Sequence, residues 1–143
     1  MTLNISNAAA ISLCDSLSAL IDSGAPASSL IIYSGTVPVD CDSPLSANLT
    51  LVTITLESPA AFAGATDATG SAIALAVGTP LSGTIALSGT ATFFRVVDGQ
   101  GNFVMQGSVG TSGEDLNLDT VSLIQNATLL ISALSLSVPE QGA

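Results

Sequence analysis

The sequence predicts a mainly β protein, an antiparallel β-sandwich or a jelly-roll or immunoglobulin-like barrel, with one N-terminal α-helix. Three observations predict it. Apolar residues recur at steps of four and three between residues 5 and 21, the period of a helix with one buried stripe. After Pro26 the period drops to two. Short apolar runs then alternate with clusters of Gly, Asp, Asn and Ser as far as residue 138, as consecutive short strands require.

The helix is expected over about residues 5–23, with Ile5, Ala9, Leu13, Leu17 and Leu20/Ile21 forming its stripe. Asn4 or Ser6 is placed to cap its start, and Gly24 and Pro26 to end it. Serines at 12, 16 and 18 weaken its intrinsic propensity, so packing of the stripe must hold it.

Residues 30–33 read as the first strand and 35–46 as a loop of turn formers. In 49–56, Val52, Ile54 and Leu56 share one face, with Leu51, Thr53 and Thr55 on the other. In 71–77, Ile73, Leu75 and Val77 oppose Ala72, Ala74 and Ala76, a pattern suited to a strand between two layers. Ile85 and Leu87 begin a further strand, and 90–97 form the next. Asp98-Gly99-Gln100-Gly101-Asn102 is the strongest hairpin signal, leading into a strand over 103–109. After a turn at 110–114, strands are expected over 120–125 and 128–138, the last with Leu130, Leu134, Leu136 and Val138 on one side. Gly-Thr pairs at Gly35, Gly78, Gly89 and Gly110 differ in spacing and flanks, so they indicate shared turn chemistry rather than a repeat. The chain reads as a single domain over residues 1–143, with its strands at about 30–138.

Charge narrows the function. Of 143 residues 48% are hydrophobic and 8% charged, against ~25% charged in ordinary soluble domains. Arg95 is the one basic residue, and eleven carboxylates leave a net charge of −10. Binding nucleic acid or an anionic membrane needs several cations, so neither partner is expected. The apolar runs are broken by Ser, Thr or Gly before reaching the ~20 residues of a membrane span. No basic segment precedes an apolar one at the start, so no secretory signal is expected, and the sequons at Asn4, Asn48 and Asn126 read as coincidence. Cys14 falls in the helix and Cys41 in a loop, and two free thiols are expected rather than a disulfide.

No constellation favours catalysis, and no enzyme activity, cofactor or metal ion is expected. Histidine is absent, so the serines lack their usual activating base. No Cys-x-x-Cys pattern offers a zinc site. Asp115-x-Asn117-x-Asp119 has the opening spacing of a calcium loop, but Thr120 and Asn126 stand where its glycine and glutamate belong. Leu116 and Leu118 alternate with these polar residues, as at a solvated strand edge. Asp40-Cys41-Asp42 reads as a hydrated acidic loop, with nothing basic nearby in sequence to activate the thiol. A carboxylate pair of glycosidase type stays open on residues alone. Against it, Tyr33, Phe62, Phe93, Phe94 and Phe103 are the only aromatics, and their strand positions assign them to the core.

Thr92-Phe93-Phe94-Arg95 is the one unusual cluster. With Phe94 inward, Phe93 and Arg95 share the outward face, where they either contact a partner or leave the arginine lying over its own sheet. Arg95 is expected near some of the eleven acids. An exterior of Ser, Thr and a few acids lacks the ions that normally keep a monomer wet, and it suits burial against neighbouring subunits. Self-association or a place within a larger assembly follows as an expectation.

Four segments carry a resemblance: Leu-Ile-Ile-Tyr-Ser-Gly-Thr-Val-Pro at 30–38, Ala-Phe-Ala-Gly-Ala at 61–65, Gly-Thr-Ala-Thr-Phe-Phe-Arg-Val-Val-Asp at 89–98 and Gln-Gly-Ser-Val-Gly-Thr-Ser-Gly-Glu-Asp-Leu-Asn-Leu at 106–118. With the preceding helix, the chain over about residues 8–138 resembles small structural proteins of tailed bacteriophages and prophages. The resemblance implies a virion component and brings no catalytic residues. The role it favours is a capsid decoration (cement) protein on the virion exterior, assembled in the host cytoplasm and bound to major capsid subunits. A tail, neck or baseplate component is the alternative within a virion, and a host-surface or glycan-binding module the alternative from another class.

Overall fold

The computed structural model describes residues 3–24 and 27–140; Pro26, expected to end the helix, lies outside the described residues. Helix α1 spans Asn7–Ile21. Of the two candidate caps Ser6 is the one used, its Oγ accepting the Ala9 N–H at 3.1 Å. The buried stripe is Ala10, Cys14, Ser18 and Ile21, one residue round from the expected one, while Leu13 and Leu20 face solvent. Small residues explain the shift. Ala10, Cys14 and Ser18 let the helix lie close on a sheet whose buried residues Ala72 and Ala74 are equally small.

Twelve strands follow among the described residues. They are β1 (Ser29–Tyr33), β2 (Thr50–Thr55), β3 (Thr66–Ala68), β4 (Ser71–Leu75), β5 (Leu81–Thr84), β6 (Gly89–Thr90), β7 (Phe93–Val97), β8 (Phe103–Gly110), β9 (Leu116–Asn117), β10 (Ser122–Leu123), β11 (Thr128–Ile131) and β12 (Ser135–Pro139). The largest sheet runs β2-β1-β7-β8-β9 and is antiparallel except for the short parallel contact of β9. A second sheet runs β12-β4-β3, and the pairs β11-β5 and β10-β6 complete a mainly β, sandwich-like half-barrel. Helix α1 packs on β4 and β12. Between the layers lies a core of Leu30, Ile32, Val52, Ile54, Phe94, Val96, Leu116, Ile131 and Leu136, among others.

Several expectations need correction. The strand expected over 128–138 is two strands. Its break around Ser132 resets the pleat, so Leu129 and Ile131 are buried and Leu130 is 62% exposed, not on the side of Leu134 and Leu136. In β4 the alanines face the core, while on the other face Ile73 is half-buried and Leu75 is 59% exposed, so the strand is not enclosed between two layers along its length. The strand expected from Ile85 lies earlier, at β5, and β3 was not foreseen. β5 is pressed onto β2: a Cβ on Gly83 would stand 2.8 Å from Ile54 Cγ1 and 3.0 Å from Val52 Cγ2.

Candidate functional site

Phe93 and Arg95 do share one face of β7, opposite Phe94, as their alternation requires. That face is not free. Both residues are fully buried beneath the segment 34–48, which crosses the sheet as a strap, so neither reaches a partner in this conformation. The strap is tied at its base by side chains reaching main-chain oxygens. Asn48 Nδ2 donates to Ser34 O and Thr36 O, each at 2.9 Å, and Thr92 Oγ1 donates to Gly35 O at 2.8 Å. Its middle is held from below, where Arg95 Nη2 donates to Ser43 O at 2.8 Å and Asp40 O at 3.2 Å. Arg95 Nε donates to Gln106 Oε1 at 2.8 Å, and Gln106 Nε2 in turn donates to Pro38 O at 3.1 Å.

The guanidinium is hydrogen-bonded by carbonyl oxygens rather than by a carboxylate, although the Asp40 carboxylate lies close enough to feel its charge, as expected of an acid near Arg95. The guanidinium carbon stands 4.5 Å from the centre of the Phe103 ring and 6.0 Å from that of Phe93, which itself stacks on Tyr33 at 5.1 Å. Nη1 is buried without a protein partner. In the strap Asp40 Oδ1 accepts from both Ser43 N and Ser43 Oγ at 2.8 Å. These bonds hold the Asp40 carboxyl below its usual range, with Arg95 adding a smaller pull. Cys41 lies near Arg95, a neighbour that sequence could not supply, yet burial outweighs the cation and raises the thiol. Cys14 is raised as well, by burial first and then by Asp15. Both cysteines are free.

The carboxylates that suggested a calcium loop serve the fold. Asp115 Oδ2 accepts from Ser108 N at 3.0 Å, Asn117 Oδ1 accepts from Glu114 N, and Leu116 and Leu118 are buried between them. No group of three or more metal-ligating side chains gathers among the described residues.

Sequence reasoning missed a cleft of about 370 Å³ where the half-barrel fails to close. Met105, Gln106 and Gly107 of β8 form one wall and Ser135, Leu136 and Ser137 of β12 the other, with Phe94 within and Glu114 and Asp115 at the rim. A second hollow of about 350 Å³ shares Asp115 and Ser135 and runs on to Leu75, Leu116 and Leu134. No sequence pattern marked the cleft; in its wall Gly107 leaves no room for a side chain, since a Cβ there would stand 2.5 Å from Phe94 Cε1 and 3.0 Å from Asp115 Cβ.

The exterior is unusual in kind. With Arg95 buried, the chain shows no cationic side chain to solvent. Large apolar side chains stand out instead, among them Val39 on the strap at 95% exposure, Ile124 at 67% and Leu130 at 62%. No helix among the described residues is long and apolar enough to cross a membrane. Comparisons with protein-family models, curated proteins and solved structures find no match.

Proposed function

We propose that this chain is a non-enzymatic structural component of a tailed-phage virion, a capsid decoration protein that binds across neighbouring major capsid subunits on the outside of the head. The observation that carries this reading is the exterior itself. It has no cationic side chain, few ions of any kind and protruding Val39, Leu130 and Ile124. Such a surface gains by being covered, because each buried methylene contributes about 0.8 kcal/mol and little ionic hydration is lost. The resemblance of the segments at 30–38, 61–65, 89–98 and 106–118 to phage structural proteins supplies the kind of assembly.

The strap gives the contact a rigid support. Arg95 and Gln106 fasten it from below, so Val37 and Val39 are presented outward on a fixed loop rather than a wandering one. Net charge −10 favours the outer surface of a head over its interior, where packaged DNA would repel it.

A tail, neck or baseplate position would use the same surfaces, and copy number separates the two. Quantitative mass spectrometry of purified particles should find this chain in amounts comparable to the major capsid subunit. A ring's worth of copies would move it to the neck or tail. Binding of the isolated chain to host cells or glycans, with none to particles, would overturn the virion reading.

A further inference from the structure

Two strand edges face the cleft without a strand partner there among the described residues. Along β8 the Val109 N–H turns toward β7, donating to Thr92 O at 3.0 Å, and the Ser108 N–H turns the other way, to Asp115. The two-residue period of a strand then directs the N–H and C=O of Gln106 to the same side as Ser108, beyond the reach of β9, which pairs only at Val109 and Gly110. Along β12 Leu134 O accepts from Ala76 N, and Glu140 N donates to Gly70 O. Even positions therefore serve β4, and Ser135 and Ser137 direct their main-chain groups into the cleft. Among the described residues no strand joins β8 to β12; just past β12 the Ile5 N–H donates to Glu140 O at 2.8 Å.

We infer that this cleft takes an extended segment of another protein, with apolar residues alternating with Lys or Arg, added as a strand between β8 and β12. A strand is the form that satisfies both edges at once, since its main chain pairs with Gln106 on one side and with Ser135 and Ser137 on the other. Its inward side chains meet Phe94, Met105 and Leu136, and its outward ones pass Glu114 and Asp115 at the rim. The rim sets the charge of the occupant. A second copy of this chain does not meet it, because its single cation is buried and each copy carries −10. The segment therefore belongs to a partner with basic residues. This inference stands apart from the virion reading: it is tested on the isolated chain, and particle copy number tests the other.

The experiment titrates the isotope-labelled full chain with short, end-blocked peptides of alternating Val and Thr bearing either Arg or Glu at one outward position. Amide exchange and chemical shifts are followed by NMR. The Arg peptide should protect the amides of Gln106, Ser135 and Ser137, and bind about fivefold more tightly than the Glu peptide, as one partly exposed charge pair allows. Glu114→Lys, which leaves Asp115 and a rim of no net charge, should remove that preference. Ser137→Pro, which removes only a cleft-facing N–H, should abolish the protection with the remaining spectrum folded. Equal binding of the two peptides, or no protection by either at about 1 mM, overturns the inference. Protection of the same amides by raising the concentration of the chain alone assigns the cleft to a second copy and overturns it equally.

Discussion

A guanidinium taken out of water needs acceptors, and Arg95 finds them in the oxygens of Ser43, Asp40 and Gln106 and on the face of Phe103. Removing it leaves those oxygens unpaired and the strap unfastened. Arg95→Ala should lower unfolding free energy by about 2–4 kcal/mol in urea denaturation. Cys41 should then react faster with a thiol reagent, while Cys14, fully buried, stays protected until unfolding. Arg95→Lys should not restore the strap, because an ammonium cannot span Gln106 and two carbonyls as a planar fork does. An Arg95→Ala change within about 0.5 kcal/mol would show that the strap is held by other means. Asp98 makes a second residue-scale prediction. Bonds from Asn102 N, Gln100 N and the Asn102 side chain hold its carboxyl below the ordinary range. Its folded pKa lies below the unfolded one, so the stability it contributes is complete above about pH 4 and is lost as pH falls through the folded value. Asp98→Asn should therefore flatten the acid-side fall in the urea midpoint, and an unchanged slope would exclude Asp98 as a source of it.

Elements are legible where their own residues carry the period. The helix and strands β1, β2 and β8 fall close to their expected positions because each carries its own apolar residues between turn formers, and the 98–102 turn follows from its own Gly and Asn residues. The strand expected over 90–97 is instead split, Gly89–Thr90 pairing with β10 and Phe93–Val97 lying in the main sheet. β5 was not legible, since Leu81-Ser82-Gly83-Thr84 has no apolar period and forms only because β11 pairs with it and β2 lies beneath it. The same holds for the strap. Arg95 meets main-chain oxygens more than fifty residues away, and a backbone oxygen has no side-chain signature. Thus the pattern showed that Phe93 and Arg95 share a face but not that the chain itself covers it. Gly83 tests how tight the packing of β5 on β2 is. Gly83→Ala should destabilise by about 1–3 kcal/mol, because the added methyl meets branched side chains on a paired strand that cannot yield. A neutral or stabilising result in thermal unfolding would mean that β5 sits more loosely than its geometry indicates.

At the scale of the whole molecule, burying the one cation leaves acids, hydroxyls and protruding aliphatics to meet the surroundings. Kept alone in solution, such a surface should draw copies together at high salt, where repulsion among carboxylates is screened. Light scattering over a salt series should show mass rising with ionic strength. An unchanging monomer without affinity for any particle would remove the reason for expecting a covered exterior. The most direct test of a place in a shell is a reconstruction of the intact particle at a resolution that traces side chains. The account predicts this chain on the outer face of the head, spanning adjoining capsid subunits, with Val37 and Val39 of the strap inside the contact. Its absence from the particle, or a position in which the strap and the apolar residues face open solvent, would contradict it.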